Sequence, residues 1–242
     1  NAYAFLASDE AAYINGTLLM PGAEYSMNKT IKERTVANGY TSGWIIGPGG
    51  VFSYEPGGGV STATTATFNA AFFAGMKFKE WRAHSIFISR YPAGREATVS
   101  WGNLDMRFVN NYDTAVFITT KMTSTSITVQ FWGTKHWDSI ESVSGPWRNL
   151  TSAGVVHNTN DSCEAQRPVH GFDITVERVF IRGGVEVKRE PFNTHYKASP
   201  TVICGAGDPS PSKTTKKPTK KPIKTATATA TPTDTATETP TP

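Results

Sequence analysis

The chain has 242 residues, of which 38% are hydrophobic, and a formal net charge of +4. From Asp208 onward there are six lysines against three acidic residues, so the preceding chain carries a charge of only +1. A nearly neutral domain provides no electrostatic reason to expect a nucleic-acid partner. No apolar run approaches the ~18 residues that a membrane-spanning helix needs, so we expect membrane contact only through an anchor upstream of Asn1.

The last part of the chain differs in composition from the rest. From Asp208 onward it contains no Val, Leu, Phe, Trp, Tyr or Met and is dominated by Thr, Pro, Ala and Lys. Such a segment cannot bury enough apolar surface to offset its ordering entropy. We therefore predict a disordered tail or linker over residues 206–242. The remainder is predicted to be one domain, with a core over 1–143 and a β extension over 144–205.

The first elements in chain order are a helix and extended segments. Apolar residues near helical spacing predict a helix over residues 3–14, ended by Asn15 and Gly16. A short strand, a Pro-Gly turn and a second extended piece follow in "LLMPGAEYSMN". A glycine-rich stretch over 43–59 leads to "TATTATFNAAFFAGM", which predicts a buried helix that begins after Ser61 and stops at Gly75.

Beyond Gly75 the apolar pattern changes towards a period of two, which is typical of strands. Residues 144–170 are polar and are predicted to be irregular. A final hairpin is predicted to turn at Gly183–Gly184. The fold class expected from this order is α+β, with a central buried helix packed on a mostly antiparallel sheet and a C-terminal β-hairpin region. The predicted strands are "HSIFISRY", "ATVSWGN", "LDMRFVNN", "AVFITTKM" and "SITVQFWGT".

The two cysteines, Cys163 and Cys204, predict a disulfide. A bridge closing a loop of this length stabilises a fold by ~3–4 kcal/mol in the chain-entropy picture. Disulfides persist in oxidising compartments, so we expect an extracytoplasmic, secreted or cell-envelope location. Because the chain starts without Met, we expect that an upstream segment with an export signal is missing from it.

Four stretches, spread from residue 14 to residue 205, resemble the VanW family, named after an accessory protein of vancomycin-resistance gene clusters. The first is similar to the family's "NG-x-x-I-x-PGE-x-FSFN" opening, the second to its glycine-rich stretch and central helix. The third matches its "HS…PGRDATV…G-x-LD-x-x-F" core, and the last is similar to its closing segment. In this chain they read "INGTLLMPGAEYSMN", "GGGVSTATTATFNAAFFAGM", "HSIFISRYPAGREATVSWGNLDMRF" and "PFNTHYKASPTVICG".

The resemblance implies an exported or membrane-anchored protein associated with peptidoglycan. Some members are credited with L,D-transpeptidation, in which an enzyme nucleophile takes an acyl group from one stem peptide and passes it to another. In those members a Cys followed by Gln comes after "GGG-x". Ser61 and Thr62 stand at these positions here.

The segment from Gly57 to Thr62 is the candidate site. Gly57, Gly58 and Gly59 would let a ligand approach the backbone, and a helix N-terminus favours an anion. A Ser nucleophile needs a general base, and His84 is the candidate that the resemblance supplies. Arg90 and Arg95 are candidate carboxylate-binding residues.

Each candidate also has a structural reading. Ser61 is a good helix N-cap, His84 could be satisfied by a backbone carbonyl, and the two arginines could pair with Asp105. The aromatic residues Trp44, Phe52, Tyr54 and Trp101 could stack on sugar rings or pack at a rim.

Three functions remain open from the sequence. We expect a domain that binds peptidoglycan stem peptides or a related wall component. The first alternative is an L,D-transpeptidase-like peptidoglycan acyltransferase that uses Ser61 and His84, and the second is a structural spacer. We expect a monomer without a cofactor. We also expect no metal, since the five histidines show no metal-ligand spacing.

Overall fold

The computed structural model describes residues 16–46, 52–123, 125–160 and 163–205, with only the backbone of Phe52. All of them belong to one compact unit. The helix predicted over 3–14 and the tail predicted over 206–242 lie outside the described residues.

The described residues form fourteen strands and two α-helices. The helices are α1 (Met27–Ile31) and α2 (Ser61–Phe73), and Val36–Asn38 forms a 3₁₀ turn. The strands are β1 (Thr17–Leu19), β2 (Glu24–Ser26), β3 (Ser42–Ile46), β4 (Phe52–Pro56), β5 (Lys77–Glu80), β6 (Arg107–Val109), β7 (Val116–Met122), β8 (Ile127–Trp132), β9 (Ser139–Ser144), β10 (Arg148–Thr151), β11 (Val155–Asn158), β12 (Gly171–Arg182), β13 (Val185–Tyr196) and β14 (Thr201–Cys204).

These strands are divided among five small sheets in the described part of the chain. Three of the sheets have the orders β1-β7-β8, β2-β6-β5 and β3-β4, and β11 pairs with β14 in parallel. The largest is built on the long β12–β13 hairpin, and both β9 and β10 pair with β12. Its turn at Gly183 and Gly184, both at positive φ, confirms the predicted hairpin.

The expected α+β fold, a central helix packed on a mostly antiparallel sheet, is wrong. Over the described residues the chain is mainly β, and its strands belong to several separate sheets instead of one. The glycine-rich stretch is one reason, because β3 (Ser42–Ile46) and β4 (Phe52–Pro56) lie in it and pair with each other. Strands β10 and β11 are a second reason, because both lie in the stretch 144–170 that was predicted to be irregular.

Two predicted strands, at residues 84–91 and 97–103, are also wrong. The described chain from 81 to 99 contains no strand and is folded by turns, including Tyr91 N–H to the Ile88 carbonyl and Arg95 N–H to the Pro92 carbonyl. Pro92 lacks an N–H and Gly94 has a φ of +71°, so this backbone cannot continue a ladder. The alternation reflects burial of Ile86 and Ala97 and not strand pairing.

Helix α2 lies in the hydrophobic core and ends as its sequence predicts. Phe68, Ala71 and Phe72 are fully buried, and both phenylalanine rings contact Phe192 of β13. Gly75 has a φ of +73° just after the helix, a conformation that favours glycine. The opposite end of α2 faces a cleft.

Candidate functional site

The glycine segment before α2 is explained by close contacts within the chain. Gly57 has a φ of +82°, and a Cβ there would lie 2.4 Å from the Cβ of Arg34. A Cβ on Gly58 would lie 2.0 Å from the carbonyl carbon of Gly43 in β3. Glycine is therefore required so that the turn before the helix can cross the β3–β4 hairpin.

Ser61 is the first residue of α2 and not its N-cap. Val60 occupies the N-cap position and provides no side-chain hydrogen bond, so the capping interpretation of Ser61 is wrong. The Ser61 hydroxyl instead lies 3.0 Å from the Thr98 hydroxyl. The N–H groups of Val60 and Thr62 are bonded to the carbonyls of Gly57 and Gly59. The Ser61 hydroxyl thus points away from the helix ladder, towards residues of the turn-rich segment.

His84 is held by a buried carboxylate. Its Nδ1 forms a short hydrogen bond with Glu96 Oε2, and Glu96 has no solvent exposure. The second oxygen, Glu96 Oε1, accepts a hydrogen bond of 2.7 Å from the Tyr196 hydroxyl at the end of β13. The Tyr196 hydroxyl in turn accepts a hydrogen bond of 2.9 Å from the Gly94 N–H. A buried carboxylate that engages Nδ1 fixes the orientation of the imidazole ring.

A second set of contacts connects His84 to the start of α2. The ring of Tyr91 stacks on the imidazole of His84, with centroids 5.3 Å apart and planes within 3° of parallel. The Tyr91 hydroxyl lies 3.1 Å from the Thr62 hydroxyl. Burial raises the pKa of Tyr91, and burial followed by the Glu96 charge raises the pKa of Tyr196. Both phenols therefore stay protonated at neutral pH and can donate hydrogen bonds.

Of these residues, Ser61, Thr62, His84, Tyr91 and Thr98 line one cleft of about 1110 Å³. The start of α2, His84 and Arg90 form part of its wall, and the β3–β4 hairpin forms another part. Charged groups of both signs face it: Arg34, Arg82, Arg90, Glu33, Glu55 and Glu164. Of the candidates proposed from sequence, the structure brings together Gly57, Gly58, Gly59, Ser61, Thr62, His84 and Arg90.

Arg95 is not brought to the cleft. Its Nη1 donates a hydrogen bond of 2.8 Å to Asn69 Oδ1, and its guanidinium lies 4.9 Å from the ring centroid of Phe73. Neither arginine candidate is paired with Asp105, whose carboxylate accepts hydrogen bonds from Ser26 Oγ and the N–H groups of Asn28 and Met106.

The sequence reasoning missed Glu96, Tyr91, Tyr196 and Thr98. One signal was available. Glu96 directly precedes Ala97 in a pattern of buried residues, and a buried glutamate needs a partner. The partner itself could not be found from sequence, since Tyr196 is 100 residues away.

The predicted disulfide between Cys163 and Cys204 is confirmed, with the Cα atoms 5.7 Å apart. Cys163 directly precedes Glu164, Ala165 and Gln166, which line the cleft. Gln166 and Val202 exchange backbone hydrogen bonds of 3.1 and 2.9 Å. The disulfide therefore ties one wall of the cleft to strand β14.

Within residues 16–46, 52–123, 125–160 and 163–205, no group of three or more His, Cys, Asp or Glu side chains is arranged to hold a metal ion. Over the same ranges, none of the helices has the length and apolarity needed to cross a membrane.

Comparison with known proteins identifies the family of this fold and cleft. Residues 8–132 match the family model for VanW like protein, and the chain belongs to the VanW family. It is 35% identical over 111 residues to the uncharacterized protein YoaR of Bacillus subtilis (strain 168). That alignment covers 46% of this chain and 36% of YoaR, so the chain spans little more than a third of this relative. No solved structure matches the chain.

The family match covers much of the cleft but not all of it. Ser61 and His84 of the cleft, and Glu96 that holds His84, lie within residues 8–132. The cleft wall at 164–166 and Tyr196, the partner of Glu96, lie beyond them. The C-terminal part of the chain thus adds residues to a site that begins in the family region.

Proposed function

We propose that this protein is an extracytoplasmic domain that binds peptidoglycan stem peptides, or a related wall component, in the cleft at the start of α2. The observation that carries the proposal is the cleft itself, in which the glycine turn, the Glu96-bound His84 and Arg90 share one wall. Membership of the VanW family and the Cys163–Cys204 bridge support a location in an oxidising compartment.

The size of the cleft favours an extended ligand. Sites for small molecules commonly occupy about 300–1,000 Å³, and this cleft reaches about 1110 Å³. A short peptide or a disaccharide-peptide would occupy such a space better than a single small metabolite.

The charges of the cleft suit a stem peptide. Such peptides carry free carboxylates and a diamino acid, and the cleft offers both signs of charge. Arg82 and Arg90 can bind carboxylates in a bidentate way, and Glu164 can pair with an amine. Burial lowers the pKa of Arg34, yet a guanidinium stays charged at neutral pH.

Acyl transfer is the second candidate, and the His84–Glu96 pair favours it. An imidazole oriented by a buried carboxylate is the arrangement that activates a serine in hydrolases and transferases. Ser61 lines the same cleft, but its hydroxyl is bonded to Thr98. Attack on a stem-peptide carbonyl would therefore require the hydroxyl to turn from Thr98 to the free side of His84.

Titration with soluble stem peptides tests the binding proposal. We expect saturable binding that is weakened by His84→Ala and by Arg90→Gln. The matched control is His195→Ala, because His195 also pairs through Nδ1 with a carboxylate, that of Asp173, but is exposed on β13 outside the cleft. Absence of binding at millimolar peptide, or equal loss in the control, would refute the proposal.

Mass spectrometry of the same mixtures tests acyl transfer. Exchanged or crosslinked stem peptides that disappear with Ser61→Ala would support catalysis. Binding without any product would leave the domain as a binding module, and product from Ser61→Ala would exclude Ser61 as the nucleophile.

A further inference from the structure

We propose that Trp44, Tyr54 and Trp101 form a sugar-binding edge of this cleft, which takes the N-acetylated pyranose rings of a glycan strand. The inference rests on the proposed function and deepens it, because it adds a carbohydrate subsite to a peptide-binding cleft. The three residues are called the aromatic edge below.

Two members of the aromatic edge form a cross-strand pair on the β3–β4 hairpin. Trp44 and Tyr54 are register partners, so their side chains leave the same face of the hairpin. Their rings meet edge to face, with centroids 5.3 Å apart. This contact fixes the ring positions while leaving 52% of Trp44 and 60% of Tyr54 exposed.

The third member lies in the segment that follows Thr98. Trp101 is 47% exposed, and the guanidinium of Arg34 lies 6.0 Å from its ring centroid. All three aromatic residues and Arg34 line the same cleft. The ring faces are therefore available to a ligand that also reaches Ser61 and His84.

Exposed aromatic rings beside charged side chains are suited to sugars more than to an apolar partner. A pyranose ring has faces of C–H groups that pack on an aromatic ring, and hydroxyl and amide groups at its edge that need hydrogen-bond partners. Glu33, Arg34 and Glu55 line the cleft close in sequence to the edge and provide such partners. A purely apolar ligand would leave these charged groups desolvated and unpaired, which is costly.

The close approach of Gly43 and Gly58 explains why the aromatic edge lies beside the start of α2. Gly43 precedes Trp44, and its backbone meets Gly58 in the turn that leads into α2. The hairpin with the aromatic pair is thereby held directly against the start of the helix. A ligand with a sugar joined to a peptide, as in a muropeptide, could place the sugar on the edge and the peptide along His84 and Arg90.

The test uses the chain with three probes: a soluble oligomer of N-acetylglucosamine, a stem peptide without sugar, and a disaccharide-peptide. Binding is followed by the NMR shifts of the indole N–H groups and by titration calorimetry. The variants are Trp44→Ala and Trp101→Ala, with Trp132→Ala as the matched control. Trp132 is also half exposed but lies on β8, outside this cleft.

We expect the sugar oligomer to bind the parent chain and to bind Trp44→Ala about tenfold more weakly, since one lost aromatic contact is worth about 1.4 kcal/mol. Trp132→Ala should bind like the parent, and the stem peptide should bind all three variants alike. Trp44→Tyr keeps an aromatic face and should recover much of the affinity for the sugar oligomer. Such recovery would show that the hairpin still folds.

The inference is overturned if the sugar oligomer does not bind, or binds Trp44→Ala as tightly as the parent. Loss of stem-peptide affinity in Trp44→Ala without sugar binding would make the edge a peptide contact instead. The stem-peptide part of the proposed function fails separately, if the sugar oligomer binds and the stem peptide does not.

Discussion

Arg178 Nη1 donates a hydrogen bond of 3.2 Å to the carbonyl oxygen of Phe72, in the last turn of α2. The same nitrogen donates to the Met76 carbonyl at 3.1 Å, and the guanidinium is paired with Glu190. Arg178 is only 2% exposed, so a buried cation from β12 satisfies the negative end of the helix. The end of α2 opposite the cleft is thereby attached to the β12–β13 hairpin.

Removing this cation should destabilise the whole domain. We expect Arg178→Met to lower the free energy of unfolding by about 3 kcal/mol, because the helix carbonyls and Glu190 lose a buried partner. Urea unfolding measures the change. Arg189→Met is the control, because Arg189 is adjacent to Glu190, exposed and paired with exposed Glu186, and should change stability by less than about 0.5 kcal/mol. Equal effects of the two variants would contradict the capping role.

The Glu96 network should be cooperative. Glu96→Ala leaves His84 Nδ1 and the Tyr196 hydroxyl without their buried partner, so we expect a loss of about 2–3 kcal/mol in unfolding free energy. Tyr196→Phe should cost about 1 kcal/mol. The double variant should cost less than the sum of the two, because they share one interaction. Additive effects in urea unfolding would show that the two side chains act independently.

Replacing Ser61 with the family's cysteine provides a probe of the start of α2. Both native cysteines are in the disulfide, so Ser61→Cys introduces one free thiol in the chain. We expect its rate of alkylation to rise with pH around a midpoint below about 8.5, because a helix N-terminus stabilises the thiolate. A midpoint at or above that of a free cysteine would show that this position does not activate a nucleophile.

Alkaline pH should unfold the protein through its buried tyrosines. Burial raises the pKa of Tyr25 from 10.0 to about 12 and also raises those of Tyr40 and Tyr196. A raised pKa means that the folded state keeps a proton that the unfolded state releases. The stabilisation is complete below pH 10 and is lost as the pH rises towards 12, by about 1.4 kcal/mol per pH unit for each such group.

Urea unfolding at several alkaline pH values measures this dependence. Tyr25→Phe should make the loss of stability with pH shallower, and the tyrosinate absorbance of the buried tyrosines should appear together with unfolding. Ionisation of all tyrosines near pH 10 in a folded protein would contradict the burial of these side chains.

The sequence predicts local features of this fold better than contacts between distant residues. The α2 stop at Gly75 and the hairpin at Gly183–Gly184 depend on backbone conformations that glycine adopts easily, and both were predicted. The two strands predicted at 84–91 and 97–103 were wrong, because alternation of buried side chains does not show whether a neighbouring strand is present. The N-cap role predicted for Ser61 was wrong because the helix begins one residue earlier, with Val60 as its cap.

Family membership, the disulfide partners, the buried helix before Gly75 and some of the residues that line the cleft follow from sequence, since they depend on motifs and on local backbone preferences. Only the tertiary structure decided that Glu96 and Tyr196 hold His84, that Arg95 supports Asn69 instead of the cleft, and that the strands divide among small sheets. These features depend on contacts between residues far apart in sequence, and a buried carboxylate finds its partners only when the chain has packed around it.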